Sequence, residues 1–401
     1  MTPAPVRLAP QGLIVTAPAD TNAADLAVDC RFFLGDRPCV WHKREGVTCR
    51  CDRYEAVGDR VLIVKLDAMG DVLRTTSLLP VIAAQHRAPR ITWLTRPESL
   101  PLLENNPFVG QLIALGPDAT LALLTREFDR VINMDAGQTS AGLAALARAG
   151  QKDGYVLHPK GFVQATNPPA EAWLRLGVDD SLKRRGTRTY QAWMTDILQA
   201  SEPTTGYVFE LRPEELAAGR AHLDRLGVRT DRPLIGLNTG AGGRWPLKQW
   251  RLEGFVELID AIGRAAGAQF LLLGGPSEEP RNAAIRQAAA GHAVFDPGCH
   301  NPVRHFASLV AGCDVVVTGD TLAMHLALAM KRRTVVIFGP TSAPEIELYG
   351  LGEKVIPDMT CLSCYKNACD FAPNCMDLVS TDMVASAVTR QLAASDRRWQ
   401  A

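Results

Sequence analysis

The chain lacks the features that mark membrane-spanning, exported and nucleic-acid-binding proteins. No segment reaches the roughly 20 uninterrupted apolar residues that a helix needs to span a bilayer, so any membrane contact would be peripheral. The first 29 residues have no basic start followed by an apolar core, which argues against a signal peptide. Neither charge is in excess, because 43 basic residues balance 43 acidic ones. This balance excludes an overall positive field for nucleic acid, and we expect a soluble globular protein.

What the chain does have is 47% hydrophobic residues over 401 positions, enough for about two to three domains with packed cores. Short apolar runs alternate with helical patterns from residue 60, and a second such series follows the loop-like segment SEPTTG. The alternation is typical of doubly wound α/β sheets, and two sheets imply a cleft between them. We predict an N-terminal extension at 1–59, α/β domains at 60–205 and 206–380, and a C-terminal helix at 381–401.

The stretch VLIVKLDAMGDVLRTTSLLP, residues 61–80, carries the first functional signal. Its apolar start predicts a buried parallel strand, Gly70 suits a tight turn, and Asp71 stands where a helix N-cap is expected. Taken alone, Asp71 is more simply a cap than a catalytic acid. However, ligands of open parallel sheets bind at the carboxyl ends of the strands, where this turn would lie. Asp71 is therefore also a candidate general base.

The loop NTGAGGRWPLK, residues 238–248, follows a predicted strand of the second series. Glycines let backbone N–H groups approach phosphate oxygens closely, and the basic side chains add positive charge. The candidate anion-binding residues of this loop are Gly240, Gly242, Gly243, Arg244 and Lys248. The pattern matches neither the dinucleotide fingerprint nor the Walker motif, and an ordinary turn is the simpler interpretation of the loop alone. The glycines of a later loop, LLGGPSEEP, could admit a nucleotide base, although a plain strand end is the simpler interpretation.

The segment VVVTGDTLAMHLALAM predicts a strand that leads into a helix beginning near Asp320 and Thr321. The backbone donors and the positive end of the helix dipole would face an anion there. Asp320 alone could be only an N-cap, and His325 alone could be only a core residue. Their coincidence with the glycine loop and the acidic turn of the first series favours a shared site.

Eight of the ten cysteines fall into two groups. In a chain without an export signal, such clusters favour metal over disulfides. The C-terminal group, CLSCYKNACDFAPNC, predicts a closed tetrahedral zinc or iron site at Cys361, Cys364, Cys369 and Cys375. A redox pair or unligated thiols are the alternative. The N-terminal group consists of Cys30, Cys39, Cys49 and Cys51. Its spacing is looser, and the sequence supports a metal site there no better than unligated cysteines.

Four motifs together resemble the bacterial heptosyltransferases of glycosyltransferase family 9. They are MGDVLRTTSLLP, GAGGRWP, GDTLAMHLALAM and FGPT, and the similarity runs from about residue 60 to the C-terminus. The resemblance implies a GT-B fold, with two Rossmann-like domains facing a central cleft and a final helix, residues 382–394, crossing back. The acceptor would bind the N-terminal domain and the nucleotide sugar the C-terminal one. The protein would then work in the cytoplasm or at the inner face of the inner membrane.

The resemblance also implies roles for individual residues. Asp71 matches the proposed catalytic base, Arg244 matches a contact to the donor phosphates, and Asp320, Thr321 and His325 match the donor-binding helix. Members of the family transfer heptose from ADP-heptose to the lipopolysaccharide core with inversion. Arg244, the amides of the glycine loop and the helix start at Thr321 would stabilise the negative charge of the leaving diphosphate, so a catalytic metal would not be required. One departure is Leu322, where many members have glycine, which leaves the identity of the donor open.

Two other functions remain open from the sequence. The C-terminal cysteines resemble an iron-binding element of the protein-modifying autotransporter heptosyltransferases, with Cys369 the weakest match. That similarity introduces a protein hydroxyl as an alternative acceptor. A non-catalytic sugar-nucleotide-binding or assembly protein is the alternative from another class. A Rossmann oxidoreductase is disfavoured, because Gly70 and Asp71 lack the spaced glycines of a dinucleotide site.

Overall fold

The computed structural model describes residues 26–201, 203–242 and 246–395. The chain divides into two compact units with the break after Gly58. In the smaller unit a short helix, α1 (Val40–Glu45), follows Cys39, and an isolated antiparallel bridge joins Cys30 to Ala56. No helix in these described ranges is both long and apolar enough to cross a bilayer.

The larger unit contains two halves of the same architecture. The strands of the first half are β1 (Arg60–Val64), β2 (Arg90–Thr95), β3 (Val109–Ala114), β4 (Glu127–Asn133), β5 (Arg148–Leu157) and β6 (Val163–Ala165). Its helices are α2 (Met69–Thr75), α3 (Leu79–Ala84), α4 (Pro117–Thr125), α5 (Gln138–Leu146), α6 (Pro168–Val178), α7 (Asp180–Arg185) and α8 (Tyr190–Ile197). Short 3-10 turns add Thr76–Leu78 and Pro97–Leu102.

The second half repeats this alternation. Its strands are β7 (Leu234–Asn238), β8 (Gln269–Leu273), β9 (Val294–Phe295), β10 (Val315–Gly319), β11 (Arg333–Ile337) and β12 (Gly352–Val355). Its helices are α9 (Pro213–Leu226), α10 (Leu252–Ala266), α11 (Glu279–Ala288), α12 (Val303–Ala311), α13 (Leu322–Ala329) and α14 (Thr381–Ala393). Two 3-10 turns, Pro246–Lys248 and Pro276–Glu278, follow β7 and β8.

Both sheets have the strand order of a Rossmann fold. The first runs β3-β2-β1-β4-β5-β6 and the second β12-β11-β10-β7-β8-β9, which is the same order when each half is counted from its own first strand. All pairings are parallel except that of β5 with β6. The β1–β4 and β7–β10 pairs are therefore the switch points, and the crevices beyond their carboxyl ends are where such sheets bind ligands.

The central strands are apolar on both faces, as strands covered by helices must be. The residues of β7, β8 and β10 are all buried, and so are 61–64 of β1. The predicted alternation of strands and helices and the two doubly wound sheets are confirmed. The strand prediction missed β5, β6, β9 and β12, which lie towards the edges of the two sheets and carry fewer buried residues.

The C-terminal helix does not have the crossing position that the resemblance implied. The buried side chains of α14 are Val384, Ala387 and Val388, and they join the apolar core of the second half. The indole N–H of Trp250 also donates to Val379 O, 2.9 Å away, just before this helix. The apolar face of α14 is thus used to complete the second domain rather than to return to the first.

A small apolar cluster joins the two halves. It contains Leu73 and Leu102 from the first half, Phe209 from the connecting segment, and Ala307, Leu326 and Ala329 from the second. At its edge α2 lies directly on α13, because a Cβ atom on Gly70 would stand only 2.6 Å from Cδ2 of His325. Only a residue without a side chain permits this approach.

Arg304 adds a polar lock to the same interface. Its guanidinium binds both carboxylate oxygens of Glu215 at 2.6 and 2.7 Å, and it donates to Pro101 O of the first half at 2.8 Å. This hydrogen bonding lowers the pKa of Glu215 to about 2, which records how strongly the pair favours the ionised carboxylate.

Replacing Arg304 by Met should destabilise the protein by about 2 to 4 kcal/mol, because Glu215 and the carbonyl of Pro101 lose charged hydrogen bonds at a largely buried site. Arg212→Met is the matched control, since Arg212 approaches the same carboxylate at 3.4 Å but is half exposed. It should cost less than about 1 kcal/mol. Denaturant unfolding measures both, and equal losses would contradict the assigned role of Arg304.

Gly70→Ala should cost about 1 to 3 kcal/mol, because the added methyl group overpacks the contact with His325. Gly177→Ala is the control within α6, where an added Cβ would meet nothing within 4 Å. That change should be neutral or stabilising by up to about 1 kcal/mol. Thermal unfolding of the two variants compares them directly, and unaltered stability in Gly70→Ala would show that α2 and α13 can separate freely.

Candidate functional site

A cavity of about 960 Å³ opens between the two halves of the larger unit. It lies beyond the carboxyl ends of β1, β7 and β10, as the strand order predicts. The predicted site residues that line it are Asp71, Gly240, Gly242, Lys248, Asp320, Thr321, Leu322 and His325. The structure thus brings together residues that are up to 254 positions apart, from Asp71 to His325. Gly243 and Arg244 lie outside the described residues.

Asp71 does not cap its helix. The helix α2 begins at Met69, Ala68 is its N-cap, and no side chain caps it. The helix therefore starts three residues earlier than the sequence predicted, and Asp71 falls in its first turn. Its Oδ1 forms an ion pair of 2.7 Å with Arg74 Nη2, one helical turn further along. The carboxylate is 27% exposed, so it can be reached from the cavity.

The loop before α2 is held in place by a buried cluster of charged side chains. The ammonium of Lys65 contacts Asp135 at the end of β4, and it lies 3.2 Å from Asp67. Asp135 also accepts hydrogen bonds from the backbone N–H groups of Leu66 and Asp67. A buried lysine is tolerated because carboxylates surround it. The cluster fixes the turn that leads to Asp71.

On the opposite wall, Thr321 is the N-cap of α13, but its side chain makes no capping hydrogen bond. Its hydroxyl instead contacts Asn238 Nδ2 at 3.2 Å and Thr318 Oγ1 at 3.0 Å. The first backbone N–H groups of α13 consequently remain available at the cavity. An uncapped helix N-terminus combines hydrogen-bond donors with the positive end of the dipole, which suits an anion.

Asp320 is also not a cap. Its carboxylate binds the ammonium of Lys248 at 3.0 Å, and the same ammonium donates to Asp320 O at 2.8 Å. Burial raises the pKa of Asp320, but the positive charge of Lys248 and further favourable contacts, among them hydrogen bonds from Lys248 and Thr341, together hold that pKa below its usual range. Lys248 is thereby fixed beside the N-terminus of α13.

His325 is both a packing residue and a lining residue. It is buried, its Nδ1 lies 2.9 Å from the hydroxyl of Tyr207, and its ring contacts the backbone at Gly70. Burial, together with the positive charge of Arg74, lowers the pKa of His325 to about 4. The imidazole is therefore neutral at physiological pH and cannot serve the site as a cation.

The glycine loop after β8 also borders the cavity, so a plain strand end, the simpler of its two interpretations, does not describe it fully. Gly274, Gly275 and Glu278 line the cavity. Glu278 accepts a hydrogen bond from Gly275 N at 2.9 Å, and its side chain fills the space where a Cβ on Gly240 would lie, 2.2 Å away. Position 240 must therefore be glycine to make room for Glu278, a lining residue that no sequence pattern indicated.

The lining residues that the sequence did not indicate include Arg74, Trp173, Lys183, Glu345 and Tyr365. Glu345 follows the FGPT motif, and the rule that strand-end loops face the crevice could have found it after β11. Tyr365 directly follows Cys364. Tyr365 comes from the cysteine segment. Its hydroxyl accepts a hydrogen bond from Ser342 N at 3.1 Å, and the ammonium of Lys183 stands 3.6 Å from the centre of its ring. The cysteine segment therefore forms part of the cavity wall.

The predicted metal sites are not supported. Within residues 26–201, 203–242 and 246–395, no group of three or more His, Cys, Asp or Glu side chains is arranged to hold a metal ion. In the first group, Cys39 accepts the backbone N–H of His42 as the cap of α1, and Cys30, Cys49 and Cys51 are free thiols. In the second group, Cys361, Cys364, Cys369 and Cys375 are free thiols as well. Burial, together with the neighbouring Cys364, Cys361 and Cys369, raises the pKa of Cys375 to about 11.

Comparisons with known proteins agree with this geometry. Lipopolysaccharide heptosyltransferase 1 of Salmonella typhimurium is 24% identical over 328 residues, covering 77% of this chain and 95% of that protein. The crystal structure of a family 9 glycosyltransferase from Veillonella parvula superposes with a TM-score of 0.66 at 20% identity, over 84% of this chain and 98% of that one. The Escherichia coli ADP-heptose lps heptosyltransferase II gives 0.62 at 17% identity, over 84% and 99%.

These solved structures share the two-domain GT-B fold described above. A model of the family described as "Glycosyltransferase family 9 (heptosyltransferase)" matches residues 120–374. The match spans more than half of the chain and includes the loops of the second half that line the cavity. The chain therefore belongs to glycosyltransferase family 9 and is a glycosyltransferase.

Proposed function

We propose that the protein transfers heptose from ADP-heptose to a lipopolysaccharide core or related glycan, with inversion at the anomeric carbon. One observation carries the proposal: the same cavity has the carboxylate of Asp71 on one wall and the uncapped N-terminus of α13 on the other. The names of the relatives supply the donor and the acceptor, since they include ADP-heptose and lipopolysaccharide heptosyltransferases.

The second half would hold the nucleotide diphosphate. The free backbone N–H groups at the start of α13 point to an anionic ligand, and Lys248 adds an ammonium beside them. Gly242, which has a positive φ of 66°, turns the loop after β7 at the edge of the cavity. Leu322, the first residue of α13, leaves these donors in place because only its backbone is needed. Arg244 is expected to add a further positive charge, as the family resemblance implies.

The first half would supply the base. Asp71 Oδ1 is engaged by Arg74, so the other oxygen can take the proton of an acceptor hydroxyl as that oxygen attacks the anomeric carbon. The bond to ADP breaks as the new glycosidic bond forms, and ADP departs on the face opposite to the attack. Inversion follows from that geometry. Negative charge gathers on the diphosphate, where the α13 N-terminus and Lys248 would stabilise it.

The neutral state of His325 limits its role. With a pKa of about 4 it carries no charge to offer the diphosphate at physiological pH. Its contacts with Gly70 and Tyr207 instead set the distance between the helix that carries Asp71 and the helix that faces the donor. We therefore assign His325 to the geometry of the site rather than to its charge.

A donor panel tests the function. ADP-heptose and ADP should raise the melting temperature, by an amount equivalent to about 2.7 kcal/mol at 100 times the dissociation constant. UDP-, GDP- and dTDP-sugars should give little or no shift. Release of ADP from ADP-heptose in the presence of acceptor separates an enzyme from a binding protein. Stabilisation by another nucleotide sugar, with none by ADP-sugars, would remove the heptose assignment.

Asp71→Asn tests the base. The amide cannot accept the proton, so the transfer rate should fall by about 10² to 10⁴-fold while nucleotide binding changes little. Asp118→Asn is the matched control, because Asp118 also lies in the first turn of a helix of the same half but is exposed and does not line the cavity. Transfer rates and nucleotide affinities of both variants decide the point, and full activity of Asp71→Asn would refute the role of Asp71.

A further inference from the structure

Arg74 is a buried cation at the cavity whose arrangement the proposed reaction leaves unexplained. Its side chain is only 14% exposed, yet it lines the cavity beside Asp71. Its Nε is buried and has no hydrogen-bond partner among the described residues. An unsatisfied buried donor costs about 1 to 3 kcal/mol. Some other interaction must therefore keep the guanidinium where it is.

Tyr190 provides that interaction. The centre of its ring lies 3.9 Å from Cζ of Arg74, which is within the range of a cation–π contact. The ring is fully buried at 1% exposure, so the contact is desolvated and strong. Tyr190 begins α8, and its backbone N–H donates to Glu345 O of the second half at 2.9 Å. Tyr190 is thus held through its ring to Arg74 of the first half and through its backbone to Glu345 of the second.

The same tyrosine reaches the backbone of Asp71 by a second route. Its hydroxyl lies 2.8 Å from Oγ1 of Thr75, and the Thr75 hydroxyl donates to Asp71 O at 2.7 Å. Tyr190 therefore contacts α2 at two points, through Arg74 to the Asp71 carboxylate and through Thr75 to the Asp71 carbonyl. An ion pair spaced i to i+3 on a free helix is worth only about 0.2 to 0.5 kcal/mol and would not fix a rotamer. The added ring contact and burial make the pair here a rigid one.

We propose that Arg74 is a positioning residue for Asp71, held in place by the ring of Tyr190. By binding Oδ1, Arg74 fixes the carboxylate plane so that Oδ2 is directed to the acceptor hydroxyl. The inference rests on the proposed function, because it takes Asp71 as the base. It goes beyond that function by naming the groups that aim the base.

The surroundings of Arg74 favour this pairing. Glu345 is the other carboxyl group of the cavity whose charge acts on Arg74 most directly. Burial raises the pKa of Glu345, although the positive charges of Arg74 and Lys183 oppose the rise. Glu345 consequently competes less for the guanidinium than its position alone would suggest. The ion pair that the structure records is with Asp71.

Arg74→Met tests the proposal. The rate constant kcat should fall by about 10 to 100-fold, since misplacing a reacting group by about 1 Å can cost about 10²-fold. The affinity for ADP and the acceptor KM should stay within about twofold of the wild type, because Arg74 acts through Asp71 and not on substrate. Arg74→Lys should recover only part of the loss, since an ammonium lacks the planar fork. Arg175→Met is the matched control: Arg175 pairs with Glu171 on α6 of the same half, is 68% exposed and lies outside the cavity lining.

A double-mutant cycle gives the deciding readout. In an Asp71→Asn background, adding Arg74→Met should lower the residual rate no further, because a residue that acts only through Asp71 has nothing left to position. An equal loss in both backgrounds, a weakened affinity for ADP, or an unchanged kcat in Arg74→Met would each overturn the proposal. If Arg74→Met does not fold, Arg74→Lys carries the same cycle, since it keeps the charge and most of the volume.

The two proposals fail differently. Full activity of Asp71→Asn would refute the base and with it the premise of the positioning role. Loss of activity in Asp71→Asn together with a normal kcat in Arg74→Met would refute the positioning role alone. Tyr190→Phe tests the two contacts of Tyr190 separately. It keeps the cation–π contact with Arg74 and removes the hydroxyl that reaches Thr75. We expect a smaller loss of kcat than for Arg74→Met, and a larger one would contradict the primacy of the ring contact.

Discussion

The active cavity depends on the close packing of α2 against α13. Gly70 lies on the imidazole of His325, and no larger residue fits between the two helices. One helix carries Asp71 and the other presents its N-terminus to the cavity, so this single contact sets the distance between the two walls. The apolar cluster around Phe209 and the lock at Arg304 stabilise the same interface from below. The hydroxyl of Tyr207 bonds the imidazole and keeps it oriented.

Two ion pairs at the cavity, one in each half, hold its acidic side chains. Asp71 is held by Arg74 on the first half, and Asp320 is held by Lys248 on the second. Each pair is partly buried, where opposite charges interact more strongly than at a free surface. A carboxylate next to an anionic donor would otherwise repel it. Pairing Asp320 with Lys248 neutralises that carboxylate and leaves the α13 N-terminus as the attractive element.

Sequence patterns predicted most of the fold because its strands are short, apolar and strongly periodic in both halves. They also located Asp71, Asp320, Thr321 and His325, because residues at the ends of parallel strands meet in one crevice whatever their separation in the chain. The patterns failed where tertiary contacts decide. Asp71 resembles a cap until Ala68 is seen to be the N-cap of α2, and α14 resembles a crossing helix until Val384 and Val388 are seen in the second core.

Other parts of the site had no readable signal. Arg74 and Tyr190 are 116 positions apart, and only the folded chain shows that they stack. The position of Glu278 at the cavity depends on Gly240, whose missing side chain makes room for it. The cysteine segment suggested metal from its composition, and only the folded chain shows that its Tyr365 reaches the cavity. The domain limits at residues 205 and 380 stay predictions.

The position of Tyr365 has a practical consequence for handling the protein. It directly follows Cys364, a free thiol that is only partly buried, and its own ring and hydroxyl belong to the cavity wall. A bulky adduct on that sulfur would push on a backbone whose left-handed turns at Ser363 and Tyr365 leave little freedom to yield. Alkylating agents, oxidants and immobilisation through thiols would then inhibit transfer without touching the base or the donor loops. Preparations kept under reducing conditions are the ones in which measured rates describe the enzyme itself.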